Sequence, residues 1–152
     1  MKSIFILNGP NLNMLGKRDP AIYGSQSLAD VEAMCRARAA ELGAQIDFRQ
    51  SNHEGTLIEW CHEARDAAAA IVINPGGYSH TSIALMDALE IATEGNVPVI
   101  EVHLSNIHAR EEFRHHSYVS LVAKEMICGQ GAQGYLVALE AAIKLAPAAK
   151  SA

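Results

Sequence analysis

Side chains that could bind an anion and transfer protons are concentrated in three stretches of the sequence. Glu101 and His103 are two residues apart, so on a strand they would share one face of the sheet. A carboxylate beside an imidazole fixes its tautomer and favours its protonated form. The full set suits a small carboxylated or hydroxylated anion and a reaction that removes and returns protons. It comprises Asn8, Asn11, Asn13, Arg18 and Tyr23, then Asn74, Tyr78 and His80, then Glu101, His103, Ser105, Asn106, Arg110 and Arg114.

Each stretch also has a purely structural interpretation. The asparagines of the first stretch are typical of turns. Glu101 and His103 could lie at a solvated strand end, and residues 110–114 could form an exposed helical face. Convergence of all three stretches on one edge of a sheet would favour the functional interpretation, because unrelated polar residues would scatter over the surface.

Other kinds of site have weaker support in the sequence. His103 and His108 have an H-x4-H spacing, but the chain has no H-E-x-x-H motif and no cysteine–histidine cluster with zinc spacing. It also lacks a G-x-G-x-x-G after the first strand, a Walker loop and a G-x-S-x-G elbow. The glycines at 129, 131 and 134 are interpreted as a turn before the last helix. We therefore predict a site with no metal and no cofactor.

The pattern of apolar residues predicts alternating strands and helices. Strands are expected at residues 4–7, 45–51, 71–73 and 97–102, with a weak fifth at 126–128. Helices are expected from Ser27, as cap, to a stop at Gly43, over 57–69 with Thr56 as cap, over 81–93 and over 135–145, with a short helical piece at 110–115.

This alternation predicts an α/β fold. We expect a single-domain, flavodoxin-like, doubly wound sheet of five parallel strands in the order 2-1-3-4-5, with helices on both faces. In such sheets the ligand site lies beyond the carboxyl ends of the strands, where the winding reverses between strands 1 and 3. The polar stretches follow strands 1, 3 and 4, so the expected site and the candidate residues coincide.

Length and charge limit the possible functions. The 152 residues fit one domain, assigned to 1–146, with a frayed tail at 147–152. A net charge of −5 argues against a nucleic-acid or anionic-membrane partner. No apolar run approaches the roughly 20 residues of a membrane span, so a cytoplasmic protein is expected. Cys35, Cys61 and Cys128 are predicted to be reduced thiols.

Five motifs follow one another along residues 4–145. They are Leu7-Asn8-Gly9-Pro10-Asn11-Leu12-Asn13, Gln50-Ser51-Asn52-His53-Glu54-Gly55, Ile73-Asn74-Pro75-Gly76, Glu101-Val102-His103-Leu104-Ser105-Asn106-Ile107-His108 and Arg110-Glu111-Glu112-Phe113-Arg114-His115. This ordered set resembles the motifs of the type II 3-dehydroquinate dehydratases. The resemblance implies dehydration of 3-dehydroquinate to 3-dehydroshikimate without a cofactor, in the shikimate pathway or in quinate catabolism. It also implies a homododecamer, a tetramer of trimers. The alternative is a non-catalytic flavodoxin-like binding module.

The same resemblance implies a role for each candidate residue. Tyr23 would be the base, kept ionised by Arg18 on the same mobile lid and by Arg110. Asn11 would position a water at the enolate. The acid would be His103, oriented by Glu101. The substrate would be held by Asn74, His80 and Arg114 at its hydroxyls, by the backbone amides of Leu104 and Ser105 and the Ser105 hydroxyl at its carboxylate, and by Asp87 from a neighbouring subunit.

Three positions depart from the usual pattern of that family. Gly77 stands where alanine is common, and Asp19 replaces a more frequent glutamate after the lid arginine. Met86 occupies a position often held by arginine, next to Asp87. The helix over 81–93 is apolar around most of its circumference, so we expect one of its sides to face another subunit.

Overall fold

Five strands form one parallel sheet within residues 2–147, which the computed structural model of the protein describes. The strands are β1 (Ser3–Asn8), β2 (Ile46–Gln50), β3 (Ala68–Asn74), β4 (Val99–Val102) and β5 (Glu125–Ile127). Their order is β2-β1-β3-β4-β5, and each neighbouring pair is parallel. The predicted flavodoxin-like order is therefore confirmed, and the winding reverses between β1 and β3.

Helices cover both faces of this sheet. They are α1 (Pro20–Tyr23), α2 (Leu28–Glu41), α3 (Glu54–Ala67), α4 (Ile83–Glu94) and α5 (Gln133–Leu145). Ile4 and Ile6 of β1 belong to the apolar cluster under α2 and α5, whereas Phe5 and Leu7 belong to the cluster under α3 and α4. This division follows from the two-residue period of a strand. Every residue of β3 is buried, as expected for a central strand covered on both faces.

The ends of α2 match the prediction closely. The Ser27 hydroxyl accepts from the Asp30 amide at 3.1 Å, and the Asp30 carboxylate accepts from the Ser27 amide at 3.0 Å. This reciprocal capping box satisfies two of the amides that a helix start leaves unpaired. After the helix, Gly43 has a φ of 71°, which favours glycine over other residues. The cap and the stop are both confirmed.

The predicted start of α3 was wrong. The helix begins at Glu54 after His53, and Thr56 lies inside its first turn instead of capping it. It ends at Ala67, so Ala68 and Ala69 belong to β3. Alanine is compatible with a helix and with a buried strand. These alanines lie between the two helical layers, where Ala70 is 0% exposed, and they therefore extend the buried strand.

Other bounds differ from the predictions by a few residues. Helix α4 begins at Ile83, with Ser82 accepting from the Leu85 amide at 2.9 Å. Helix α5 begins at Gln133, and β4 begins at Val99. The helical piece expected at 110–115 is a single turn of 3-10 helix at Glu112–Arg114. The 3-10 turns are Leu12–Met14, Gly76–His80, Ile107–Ala109, Glu112–Arg114 and Val119–Leu121.

The loops after β1 and β3 are in direct contact. The Gly9 amide donates to the Asn74 carbonyl at 2.8 Å, and a Cβ placed on Gly9 would lie 2.6 Å from the Pro75 carbonyl oxygen. Only glycine allows this approach. Before α5, Gly129 and Gly131 have φ values of 79° and 58°, as expected for a turn. Gly9 allows two of the polar stretches to come into contact, and Gly129 and Gly131 form the turn that precedes α5.

All three cysteines are free thiols. Cys35 and Cys61 are buried, and Cys128 is half-buried. Burial raises the pKa of Cys35 to about 12, with a further contribution from Glu32, and burial alone raises the pKa of Cys61 to about 12. These two thiols therefore stay protonated at neutral pH, and the predicted reduced state agrees with the structure.

No helix among residues 2–147 is long and apolar enough to cross a membrane. Residues 148–152, which make up most of the predicted tail, lie outside the described residues. The division into a domain of residues 1–146 and a tail of 147–152 therefore stays a prediction.

Candidate active site

A cavity of about 250 Å³ lies at the carboxyl ends of β1, β3 and β4. Two residues of the predicted site, Glu101 and Asp87, do not line this cavity. Glu101 lies behind His103 and is 0% exposed, and Asp87 lies on the exposed surface of α4. The three polar stretches therefore converge on one edge of the sheet, where the winding reverses. Asn8, Asn13, Tyr78 and Asn106 of the three stretches also lie outside the lining. The remaining predicted residues line the cavity: Asn11, Arg18, Tyr23, Asn74, His80, His103, Leu104, Ser105, Arg110 and Arg114.

One wall of the cavity is formed by residues 17–24, called the lid below. Its helix α1 begins after Asp19, whose carboxylate accepts from the Ala21 amide at 3.0 Å, and Pro20 occupies the first helical position. The Arg18 Nη2 donates to the Tyr23 hydroxyl at 3.0 Å. The Arg18 guanidinium carbon is 4.0 Å from the centre of the Tyr23 ring, and that of Arg110 is 5.3 Å from it. Two positive charges thus adjoin one phenol.

The opposite wall carries a histidine paired with a buried carboxylate. The His103 Nε2 donates to Glu101 Oε2 at 2.5 Å. The hydroxyl of Ser117 donates to the same oxygen at 2.7 Å, and that of Ser120 donates to Oε1 at 2.5 Å. Because Nε2 is committed to the carboxylate, Nδ1 is the ring nitrogen that His103 can use toward a molecule in the cavity.

These contacts decide the charge of Glu101. Burial raises the pKa of this carboxyl, but the hydrogen bonds and charge of His103 and the hydroxyls of Ser117 and Ser120 outweigh it, so the pKa lies below its usual range. Glu101 is therefore ionised at neutral pH. The ionised carboxylate fixes the tautomer and the orientation of the His103 ring.

Asn74 and His80 supply neutral hydrogen-bonding groups. Asn74 is 3% exposed; its Nδ2 donates to the Tyr135 hydroxyl at 2.9 Å and its Oδ1 accepts from the Gly76 amide at 3.2 Å. The His80 Nδ1 donates to the His116 carbonyl at 2.8 Å. Burial lowers the pKa of His80, with smaller contributions from nearby positive charges, so this ring is neutral at pH 7.

Asn11 has a φ of 69°, in the left-handed region. Its amide donates to Asn52 Oδ1 at 2.9 Å, and Gln50 Nε2 donates to the same oxygen at 3.1 Å and to the Gly9 carbonyl at 3.1 Å. Asparagine tolerates this conformation better than most residues. The motif at residues 50–55 therefore supports the loop that carries Asn11.

The remaining lining residues come from the loop after β4. The Leu104 carbonyl accepts from the Gly131 amide at 3.1 Å, which ties this loop to the turn before α5. Arg114 Nε donates to Glu111 at 2.6 Å. Leu104 is 6% exposed, so the loop's backbone lies between the core and the cavity.

Sequence reasoning missed four residues that contact the site from outside the lining, namely Asn52, Ser117, Ser120 and Tyr135. Asn52 lies in the motif at residues 50–55, but the motif does not indicate that its side chain accepts from the Asn11 amide. Ser117 follows the polar stretch directly, so only its position hinted at a role. The local pattern places Tyr135 at the start of the last helix, and nothing in it indicates that the hydroxyl faces Asn74.

The part of the chain that the structure describes contains no set of ligands for a metal centre. Among residues 2–147, no group of three or more histidine, cysteine, aspartate or glutamate side chains could hold a metal ion together. The H-x4-H spacing of His103 and His108 therefore does not lead to a ligand cluster. That the site works without a cofactor stays a prediction.

Comparison with known proteins gives a consistent result. The family model described as "Dehydroquinase class II" matches residues 2–143. The chain is 62% identical over 139 residues to a 3-dehydroquinate dehydratase of Sinorhizobium medicae, covering 91% of this chain and 92% of that protein. It is 59% identical over 145 residues to a 3-dehydroquinate dehydratase of Brucella suis, covering 95% of this chain and 90% of that protein.

Solved structures show the same similarity. The type II dehydroquinase from Propionibacterium acnes superposes with a TM-score of 0.87 at 46% identity, covering 92% of this chain and 94% of that one. The type II dehydroquinase from Butyrivibrio crossotus superposes with a TM-score of 0.90 at 40% identity, covering 93% of this chain and 97% of that one.

Proposed function

The chain belongs to the class II dehydroquinase family and dehydrates 3-dehydroquinate, and we propose that Tyr23 and His103 perform the two proton transfers. The Tyr23 phenolate takes a proton from the carbon alpha to the ketone, leaving an enolate. His103 then gives its Nδ1 proton to the departing hydroxyl, so water leaves in an anti elimination. The product is the conjugated ketone 3-dehydroshikimate. Exchange with solvent afterwards returns both side chains to their starting protonation states.

The arrangement of the arginines around Tyr23 is the observation that carries this proposal. A free phenol ionises near pH 10, so a phenolate base at neutral pH needs positive charge close by. Arg18 lies 3.0 Å from the Tyr23 oxygen, and Arg110 lies on the same ring at 5.3 Å. Both guanidiniums attract the phenolate and not the neutral phenol, which favours the basic form.

The assignment of the acid is supported by the buried carboxylate. Ionised Glu101 accepts from Nε2 and stabilises the imidazolium of His103, leaving the Nδ1 proton for the leaving group. Asn11, at the cavity wall, positions a water that donates to the enolate oxygen. A donor aimed at such a developing charge is typically worth about 3 kcal/mol.

Substrate binding uses the rest of the lining. Asn74, His80 and Arg114 hold the ring hydroxyls. The backbone amides of Leu104 and Ser105, with the Ser105 hydroxyl, hold the carboxylate. All five residues line the same cavity as Tyr23 and His103.

Assembly into a homododecamer, a tetramer of trimers, is part of the proposal. On α4, Ile83, Asp87 and Ile91 are spaced four residues apart and therefore share one face. Ile83 is 52% exposed and Ile91 37% exposed in the isolated chain. This face would pack on a neighbouring subunit and carry Asp87 to its site. Use in the shikimate pathway instead of quinate catabolism, and a cytoplasmic location, stay predictions.

Replacing the proposed base tests the mechanism. Tyr23→Phe should lower turnover by roughly 10²- to 10⁴-fold, the usual contribution of a positioned base, and leave binding of a product-like ligand unchanged. The measurement is the rise in ultraviolet absorbance as the conjugated product forms. Tyr118→Phe is the matched control, because Tyr118 does not line the cavity. Near-normal turnover of Tyr23→Phe would remove Tyr23 from the role of base.

A further inference from the structure

A chain of buried hydrogen bonds runs behind the cavity from β2 to the loop after β3. Asn8 Nδ2 donates to the Arg49 carbonyl at 3.0 Å. The Tyr135 hydroxyl donates to Asn8 Oδ1 at 2.7 Å, and Asn74 Nδ2 donates to the Tyr135 oxygen at 2.9 Å. Asn74 Oδ1 accepts from the Gly76 amide at 3.2 Å. Asn8 and Tyr135 are 0% exposed, so water does not substitute for any of their contacts.

Backbone groups at both ends of this series of hydrogen bonds fix which side chain donates and which accepts. A carbonyl only accepts, so the Arg49 oxygen forces the nitrogen of Asn8 toward β2 and its oxygen toward Tyr135. The single proton of the Tyr135 hydroxyl then goes to Asn8, and the hydroxyl must accept from Asn74. At the other end the Gly76 amide only donates, so it also requires the oxygen of Asn74 on its side. The two ends select the same amide orientation.

We propose that Tyr135 is a positioning residue whose hydroxyl holds the amide of Asn74 in the one orientation that presents its second N–H to a ring hydroxyl of the substrate. The inference rests on the proposed contact between Asn74 and the substrate. Without the hydroxyl, Asn74 loses the acceptor for one N–H and its amide is held only by the 3.2 Å contact from the Gly76 amide, so its orientation is less well fixed and binding of substrate must restore it.

Core packing alone does not account for a tyrosine at this position. The ring of Tyr135 lies in the same apolar cluster as Leu139, where phenylalanine would fill nearly the same volume. A hydroxyl buried without partners would cost stability, and this one has both a donor and an acceptor. Burial also raises the pKa of Tyr135, so its hydroxyl stays neutral and keeps the proton that it donates.

Tyr135→Phe tests the proposal through a split between KM and kcat. Loss of one positioned neutral hydrogen bond should raise KM for 3-dehydroquinate about fivefold and leave kcat within about twofold, because a contact made equally to substrate and transition state affects KM alone. Leu139→Ala, one turn along α5, is the control for destabilisation. It should lower the melting temperature at least as much, by creating a cavity, and leave KM unchanged.

Asn74→Ala separates this inference from the proposed function. If Asn74→Ala raises KM and Tyr135→Phe adds nothing in that background, the inference is supported. If Asn74→Ala raises KM but Tyr135→Phe alone does not, or if Leu139→Ala raises KM equally, Tyr135 is not a positioning residue. If Asn74→Ala leaves KM unchanged, the proposed contact between Asn74 and the substrate is wrong, and the role inferred for Tyr135 is wrong as well.

A second variant keeps the test decisive if Tyr135→Phe does not fold. Asn8→Ala removes the acceptor that fixes the proton of the Tyr135 hydroxyl, which can then turn toward Asn74. The same direction of change is expected, a KM raised about fivefold. An unchanged KM in folded Asn8→Ala would overturn the inference.

Discussion

Glu101 is ionised because a few neighbouring side chains donate hydrogen bonds to its carboxylate. It is 0% exposed, so water contributes nothing to the stability of its ionised form. His103, Ser117 and Ser120 together supply hydrogen bonds to both carboxylate oxygens. Since burial alone would favour the neutral acid, loss of any of these donors shifts the balance toward protonation. His103, the proposed proton donor, therefore depends on two serines that do not line the cavity.

Ser120→Ala should lower stability at neutral pH and make it less dependent on pH in acid. The pKa of Glu101 is lowered from its usual 4.5 in the folded state, so its contribution to stability is fully present above that value and is lost as the pH falls through the lowered folded pKa. Removing one donor raises the folded pKa of Glu101 toward its usual value, so the variant should lose less stability than the parent protein as the pH falls through this range. At pH 7 the loss should be about 1 to 3 kcal/mol, shrinking as the carboxyl protonates.

Urea midpoints measured between pH 7 and pH 3 check this expectation. Ser25→Ala is the control, because Ser25 is exposed and lies far from Glu101 in the chain. A constant difference between Ser120→Ala and the parent protein at all pH values would show that the hydroxyl does not act on the ionised carboxyl.

The two serines also show what a single sequence cannot reveal about a site. Glu101 and His103 are predictable as a pair because a strand places residues two apart on one face. Ser117 and Ser120 are 16 and 19 residues beyond Glu101, and their contacts with it exist only once the chain has folded back. The same holds for Tyr135, which lies 61 residues beyond Asn74.

At the scale of elements, the lid is a short helix between two glycines. Gly16 and Gly24 have φ values of 87° and 80°, and α1 between them has four residues. So short a helix has little stability of its own. Its orientation therefore depends on contacts with the rest of the chain, such as that of the Arg110 guanidinium with the Tyr23 ring.

Arg18→Ala should lower turnover more than it weakens binding. The lost contact is a hydrogen bond from a charged group that is strongest to the phenolate, so a decrease in kcat of roughly 10- to 100-fold is expected. The dissociation constant of a product-like ligand should change much less. Lys17→Ala, an exposed charge on the same lid, serves as the control. Equal losses in turnover and binding would make Arg18 a substrate clamp only.

Strands were easier to predict than helix starts, for a physical reason. The buried apolar run of β1 has one compatible structure in a sheet covered on both sides. The start of α3 has several polar candidates, and Thr56 has the right chemistry for a cap that the chain does not use. The helix begins three residues before the predicted start, after His53, whose side chain makes no capping hydrogen bond.

At the scale of the whole molecule, the exposed face of α4 predicts that active sites are shared between subunits. A site would then need Tyr23 from one chain and Asp87 from another. Asp87→Ala should lower the activity of the assembled enzyme. When it is mixed with Tyr23→Phe under conditions that exchange subunits, some sites would combine the intact Tyr23 of one chain with the intact Asp87 of the other.

Mixed oligomers should therefore be more active than the sum of the two variants measured separately. The measurement is the absorbance assay before and after subunit exchange. Wild-type mixed with Tyr23→Phe is the control for the exchange itself. Activity that stays at the sum of the separate variants would place Asp87 outside the neighbouring site.

The unequal burial of the thiols gives the protein a native attachment point for a fluorescent reporter. Cys128 Sγ lies 3.6 Å from Asn106 Oδ1, and Asn106 and the lid residues Ile22 and Tyr23 line the same second cavity. A maleimide dye should label one thiol per folded chain and three per denatured chain, with Cys128→Ser abolishing the native signal. Its emission would then follow lid closure in real time on an otherwise unaltered enzyme.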